Sequence, residues 1–213
     1  MVINQTHCVG CHACAVACKT EHAVQLGGFR IRTHYLDHAE RPVHAFLPMM
    51  CMHCKDAPCI PACPNDAIVK GADGRVEISK NDCEMDTRCV GACPYGAIHI
   101  DRQQQKADKC NFCTQRTSVG LQPACVEACP TGTLVFGDLD NPEDPVANLV
   151  ASGKAQPMKP EAGTAPSVHY VGLTPWMMDT QPTVQLSSRE SGVIYEQGME
   201  PPAHVTARQP KQK

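Results

Sequence analysis

The chain has 213 residues, 19 basic and 22 acidic side chains for a formal charge of -3, and a residue set that is 42% hydrophobic but only 4% aromatic. This balance leaves no basic footprint for nucleic acid, and no apolar stretch approaches the roughly 18 residues of a membrane helix. The longest candidate, Val43 to Cys51, is short and interrupted by proline, so neither a nucleic-acid partner nor a direct membrane span is expected. Cys8 sits too close to Met1 to leave room for a signal peptide or twin-arginine leader, so any export is expected to be as a passenger on another subunit. With so few aromatics and 18 prolines, a conventional core would be thin. Metal binding to thiolates can supply the missing folding energy, and the apoprotein is expected not to fold.

Fifteen cysteines fall into four tandem blocks. The first reads Cys8-x2-Cys11-x2-Cys14-x3-Cys18, followed by Lys19. Phe29 to Tyr35 then alternates apolar and polar residues, which predicts a strand. The second block is Cys51-x2-Cys54-x4-Cys59-x3-Cys63-Pro64. After it, Ala67 to Lys70 and Arg75 to Ile78 flank Gly71-Ala72-Asp73-Gly74, the pattern of a hairpin closed by a glycine-containing turn. The third block departs from the rest: Cys83-x2-Asp86-x2-Cys89-x3-Cys93-Pro94 carries an aspartate at the second ligand position. Ala97 to Asp101 follows as a predicted edge strand. The fourth block, Cys110-x2-Cys113-x11-Cys125-x3-Cys129-Pro130, precedes a predicted strand at Thr133 to Phe136. Each block thus predicts a cysteine-rich turn, a fourth cysteine on a short helix, and a strand.

Beyond residue 137 there is no cysteine, ten prolines are scattered, and apolar residues form islands at Val168 to Leu173, Trp176 to Met178 and Val193 to Tyr195. That composition alone reads as a disordered tail. The preferred expectation is an extended arm over 138–213 that packs its islands on a partner subunit.

An odd cysteine count argues against a disulfide scaffold. Paired C-x2-C elements also make zinc sites. The run C-x2-C-x2-C-x3-C, with proline after the fourth cysteine in three blocks, is instead the ferredoxin arrangement. In two-cluster ferredoxins the fourth cysteine of one run ligates the other run's cluster, so blocks work in pairs. Spacing leaves two pairings open, consecutive or nested.

The spacings, Cys18-Lys19, Met52-His53-Cys54-x4-Cys59, Cys93-Pro94-Tyr95-Gly96-Ala97-Ile98 and the long gap between Cys113 and Cys125 are similar to the four-cluster ferredoxin-like β subunit of the DMSO reductase family of molybdopterin oxidoreductases. The resemblance covers residues 1 to about 137. It implies an α+β fold of tandem, nested two-cluster ferredoxin-like domains: 1–44 with 106–137 as the first, and 45–105 inserted as the second. It also implies the ligand sets. One cluster takes Cys8, Cys11, Cys14 and Cys129, and its neighbour takes Cys110, Cys113, Cys125 and Cys18. In the inserted half, one cluster takes Cys51, Cys54, Cys59 and Cys93, and the other takes Cys83, Cys89 and Cys63 with Asp86 at the open position.

Asp86 admits three readings: a carboxylate ligand of a [4Fe-4S] cluster, a bystander at the vacant corner of a [3Fe-4S] cluster, or an incidental residue beside another ligand. Oxygen binds this iron less tightly than thiolate, so the fourth iron is expected to be labile in each. The cofactor set is therefore three [4Fe-4S] clusters plus one [3Fe-4S] or Asp-ligated [4Fe-4S] cluster. His12 and His53 lie inside blocks already supplied with cysteines, and a role beside the cluster or at the surface is expected. Lys19 would favour a reduced cluster electrostatically, or is a solvated helix-end lysine. Pro64, Pro94 and Pro130 are expected to end the cysteine turns and shield the clusters from water.

No dinucleotide fingerprint, phosphate loop or catalytic serine or histidine constellation occurs, so no catalytic residue is expected. The resemblance implies an electron-transfer subunit of a peripheral membrane complex. Its partners would be a molybdopterin (Mo or W) catalytic subunit near the Cys8 cluster and a polytopic quinone-interacting membrane subunit near the far end. Related complexes act on sulfoxides, sulfur oxyanions, arsenate, nitrate or formate. The location would be cytoplasmic by default, periplasmic if co-exported. The alternative is a polyferredoxin adaptor of a hydrogenase or tungsten aldehyde oxidoreductase. A regulatory iron–sulfur sensor would need one exposed labile cluster and a DNA- or ligand-binding module, against which the four-block array argues.

Overall fold

The structure, a computed structural model, describes residues 1–38 and 43–178. Strand β1 (Val2–Asn4) precedes helix α1 (Ala13–Glu21). Three alanines alternate with Cys14, Val16 and Cys18 at the start of α1, and these small side chains suit a helix pressed closely against its surroundings. Strands β2 (Ile31–Asp37) and β3 (His44–Met50) form an antiparallel ribbon whose register runs from Ile31 opposite Met50 to Asp37 opposite His44. Strands β4 (Ile68–Lys70) and β5 (Val76–Ile78) make the expected hairpin. At its turn Gly74 takes a φ of +77° and donates to the Gly71 carbonyl at 3.0 Å.

Helix α2 (Arg88–Ala92) leads to a second hairpin, β6 (His99–Asp101) with β7 (Lys106–Asp108). Two one-turn helices follow, α3 (Thr114–Thr117) and α4 (Ala124–Glu127), and then strand β8 (Leu134–Val135). Beyond residue 137 come α5 (Pro145–Ala151), β9 (Gln156–Pro157), β10 (His169–Val171) and α6 (Pro175–Met178). A four-stranded sheet in the order β8-β1-β10-β9 joins the N-terminal strand to this last segment, with β1 antiparallel to β8 and parallel to β10. Helix α4 packs across α1.

The core is rich in methionine and cysteine. Met1, Ile3, Ile31, Leu47, Met50, Met52, Met158, Val168 and Tyr170 are all buried around the cysteine blocks. Methionine suits such a core because its unbranched side chain fills irregular gaps.

The differences from the sequence expectations have physical reasons. The strand expected at Phe29 to Tyr35 runs Ile31–Asp37, and its partner β3 lies in the stretch that Pro48 interrupts. Pro48 is tolerated because a two-stranded ribbon leaves alternate N–H groups without a partner to lose. The helix expected to carry each fourth cysteine carries only Cys18; Cys93 caps α2, and Cys129 lies just past α4. The boundaries expected at 44/45 and 105/106 fall at the starts of β3 and β7, each of which is paired in an antiparallel hairpin.

The arm expectation is corrected for 138–178. The Val168 to Leu173 island does not await a partner: β10 pairs with β1, Val168 and Tyr170 are fully buried, and the Tyr170 hydroxyl donates to the Pro48 carbonyl at 2.9 Å. Just upstream, Lys55 and Asp56 N–H groups donate to Ala165 and Thr164 carbonyls at 2.8 and 3.0 Å. Trp176 sits edge-on to His38 at 5.3 Å. The Val193 to Tyr195 island lies outside the described residues.

Because Tyr170 is the point where this segment locks to the ribbon, Tyr170→Ala is expected to destabilise the chain by about 3–5 kcal/mol. Tyr170→Phe, which removes only the hydroxyl, is expected to cost about 1 kcal/mol. Guanidinium unfolding followed by circular dichroism reads the ranking. Equal midpoints for the two variants would show that the buried ring contributes nothing beyond its hydrogen bond.

Candidate metal centres

The four blocks draw their thiols into four separate groups. At site I, burial raises the Cys8 thiol pKa and the neighbouring Cys11 and Cys129 thiols raise it further; Cys14 is raised likewise, by burial and then by Cys8 and Cys129. At site II, burial dominates again, and Cys18, Cys110 and Cys113 all bear on Cys125. Site III joins Cys51, Cys54, Cys59 and Cys93: burial pushes Cys54 up to about 11 and Cys59 to about 12, and the Cys51 and Cys93 thiols add to both. At site IV, burial and the Cys63 and Cys83 thiols raise Cys89. Cys63, Cys83, Cys89 and Asp86 line one small cavity.

Helical spacing explains why one segment serves two sites. Cys14 and Cys18 are four residues apart on α1, one turn or about 6 Å along the axis. Cys125 and Cys129 repeat the spacing around α4, Cys89 and Cys93 around α2, and Cys59 and Cys63 in a turn closed by bonds from Ile60 N–H to the Ala57 carbonyl and from Cys63 N–H to the Ile60 carbonyl, both 3.1 Å. Cys14 bears on Cys125 and so joins sites I and II, while Cys51 bears on Cys110 and joins sites II and III. Sites III and IV are joined by α2 and by the 59–63 turn. The four groups therefore lie in the series I, II, III, IV.

The loops between ligands depend on left-handed backbone. The residue just before the second ligand position is Gly10, His53, Met85 or Phe112, with φ of +67°, +44°, +60° and +53°. His12 and Thr87, just after that position, are also left-handed, at +60° and +66°. Such turns aim successive N–H groups into one concavity, which suits an anion. Gly10 is the one place where no side chain fits, because a Cβ would lie 2.5 Å from the Phe46 ring. Asp86, between Met85 and Thr87, occupies the same backbone position as Cys11 between Gly10 and His12.

Sulfur atoms receive hydrogen bonds from the frame. Ala107 N–H donates to Cys83 Sγ and Phe112 N–H to Cys110 Sγ, both at 3.4 Å, and Thr133 N–H donates to Cys129 Sγ at 3.3 Å. For Cys129, burial works upward, but the N–H groups of Leu134, Thr131 and Thr133 and the Thr131 hydroxyl outweigh it and hold the thiol below its usual range. Burial moves most of the other ligands the opposite way, and Cys110 is pushed up to about 12. Such thiols keep their protons at neutral pH unless a cationic centre replaces them, which is the condition metal binding meets.

Among the described residues, no three Cys, His, Asp or Glu side chains converge closely enough to hold a single metal ion.

Asp86 is turned to its own neighbour. Its carboxylate pairs with the Arg88 guanidinium at 2.5 Å, and this hydrogen bond holds it below the usual carboxylate range. His12 Nε2 meets the Tyr35 hydroxyl at 2.5 Å at the surface, whereas His53 is buried, accepts from Val76 N–H at 3.0 Å and stacks on Phe112 at 3.8 Å. Lys19 is no free helix-end lysine. Its Nζ donates to the Gln25 and Gly28 carbonyls at 2.8 and 2.7 Å and lies 4.5 Å over the Phe29 ring, stapling the loop after α1. Pro64 lines the site IV cavity.

Several neighbours of the thiols have no local sequence signal. His22 Nε2 lies 3.2 Å from Cys113 Sγ across 91 positions of sequence, and burial, followed by Arg30, lowers its pKa to about 4, so the ring is neutral. Thr33 approaches Cys14, Thr164 approaches Cys54, and Lys109 approaches both Cys59 and Cys110.

The family model described as a 4Fe-4S dicluster domain matches residues 42–139. A tetrathionate reductase subunit from Salmonella typhimurium is 36% identical, over 86% of this chain and 78% of its own length. The arsenate respiratory reductase iron–sulfur subunit of a Shewanella species is 31% identical over 80% of this chain and 94% of its own. A polysulfide reductase polypeptide from Wolinella succinogenes is 32% identical, over 80% and 92%. Grouped thiols, the dicluster match and relatives aligned over most of their length together establish that the chain belongs to the ferredoxin-like iron–sulfur subunits of the DMSO reductase family of molybdopterin oxidoreductases.

Proposed function

We propose that this chain relays electrons through four iron–sulfur clusters between a molybdopterin catalytic subunit and a quinone-interacting membrane subunit. One observation carries the reading: the thiol groups lie in series, with Cys11 exposed at one end, Asp86 exposed at the other, and Cys18, Cys110, Cys51, Cys54 and Cys59 buried between them. Bound iron–sulfur clusters exchange single electrons at potentials set by cluster type, charge and hydrogen bonding. The chain's own work is to space them, exclude water from the middle of the series and open it at both ends. No described helix is long and apolar enough to cross a membrane, so in this reading the membrane partner supplies the span.

The grouping of thiols supports the nested ligand assignment. Cys8, Cys11, Cys14 and Cys129 hold the first cluster, and Cys18, Cys110, Cys113 and Cys125 the second. Cys51, Cys54, Cys59 and Cys93 hold the third, and Cys63, Cys83 and Cys89 the fourth. The catalytic subunit docks at the exposed Cys11 edge and the membrane subunit at the Asp86 end. The first three clusters are [4Fe-4S] and the fourth is [3Fe-4S], a reading supported by the engagement of the Asp86 carboxylate with Arg88.

The test of partners is mass spectrometry of what co-purifies with the chain from its native source in mild detergent without oxygen. A molybdopterin-type subunit together with a polytopic membrane subunit is expected; a hydrogenase as sole companion would overturn the proposal.

Oxidised protein is expected to give the electron paramagnetic resonance signal of a three-iron cluster. Asp86→Cys restores a thiolate at the position equivalent to Cys11, and is expected to abolish that signal and add an iron to the chain. An oxidised wild type without the signal but with iron for four complete clusters would reassign Asp86 as a ligand.

Stripping iron with a chelator under anaerobic conditions is expected to unfold the chain, because the buried thiols then lose the centres that organise them. Circular dichroism unchanged by complete iron loss would refute this.

A further inference from the structure

Sites I and II share α1 and α4, and sites III and IV share α2 and the 59–63 turn. The junction of sites II and III is built differently. His53, between Cys51 and Cys54, stacks on Phe112, between Cys110 and Cys113, with ring centroids 3.8 Å apart. Beside this stack Lys109 is only 3% exposed. Its ammonium donates to the carbonyls of Val76 and of Cys110 in site II, and the Val76 N–H in turn donates to Nδ1 of His53, between Cys51 and Cys54 of site III, at 3.0 Å.

No carboxylate among the described residues forms an ion pair with Lys109. The contrast lies next door: Asp108 is claimed by Arg30 at 2.8 Å and Lys80 at 2.7 Å, leaving the more deeply buried lysine without an acidic partner. A buried cation without a counter-charge is strongly unfavourable. Two groups of four cysteines flank it, and iron–sulfur clusters held by four thiolates are net anions. We infer that Lys109 is the shared counter-cation of the second and third clusters, a positioning residue that raises the reduction potentials of both together. The inference rests on the four-cluster reading above. Its physical basis is that each added electron makes a cluster more negative, so a fixed cation beside it favours the reduced form.

The experiment is a redox titration followed by electron paramagnetic resonance on the intact, cluster-loaded protein, comparing wild type, Lys109→Met and Lys109→Arg. Methionine keeps the length and flexibility of the side chain without its charge. In K109M two of the four midpoint potentials are expected to fall, while the three-iron signal, remote at site IV, keeps its own; K109R is expected to titrate close to wild type. Should K109M load poorly, the inference requires the missing iron to correspond to two clusters and K109R to load fully. Potentials unmoved in K109M, a shift at one cluster or at all four, or K109R changed as much as K109M would each overturn it. The wild-type cluster count separately tests the four-cluster reading, so failure of that reading is distinguishable from failure of the inference.

Discussion

Everything in this molecule depends on thiols being buried in groups. A buried thiol resists ionisation, and a set of neighbours resists it further, as the raised pKa of Cys59 and Cys110 shows. The folded chain is thus arranged around sites that are unfavourable for thiolates until cationic metal enters them. The helical repeat then sets the next level of order. One turn of helix separates Cys14 from Cys18, as it separates Cys89 from Cys93, so a single short helix reaches into two adjacent sites and fixes their separation. Few other devices could space four sites within so small a chain.

Charge is placed with the same regularity. Lys19 is engaged by two loop carbonyls, Arg88 by Asp86, and Arg30 and Lys80 by Asp108. For Asp108, burial works to raise the carboxyl, but the two cations outweigh it and hold it below the usual range. Against this background of satisfied charges, the isolation of Lys109 from acidic groups is informative, since the surrounding chain shows that such pairs form where they can.

What was legible in the sequence was local. The β4–β5 hairpin could be read because its turn residues, Asp73 and Gly74, lie between two short apolar runs. Cysteine spacing announced the sites because the ligand loops are themselves contiguous. Strand β3 was illegible because Pro48 normally excludes a central strand, and only the fold reveals that this ribbon has two edges. β1 is three residues long and offers no period to read. Over 138–178 the packing differs from the expectation because composition measures how apolar a stretch is, and not which surface covers it; Val168 and Tyr170 are covered by the chain's own strands. His22 and Lys109 were missed for a related reason. A polar residue acquires meaning from burial and from partners far away in sequence, as with the contact from His22 to Cys113.

The covering segment also bears on how the sites stay in series. Electron transfer falls steeply with distance, so sites joined by a flexible linker would serve poorly. Here β2–β3 and β6–β7 are paired strands, and the segment 138–178 adds a further tie. It reaches β1 through β10, and it meets the turn after Cys54 through the backbone bonds from Lys55 and Asp56 to Ala165 and Thr164. Thr164 also approaches Cys54 and holds the Tyr95 hydroxyl at 2.6 Å, so the same strap lies against site III. The stack of His53 on Phe112 lies at the junction that this strap spans, since Ser167 donates to the His53 carbonyl at 2.8 Å. Rigidity at the middle junction is therefore supplied by residues that carry no cysteine at all.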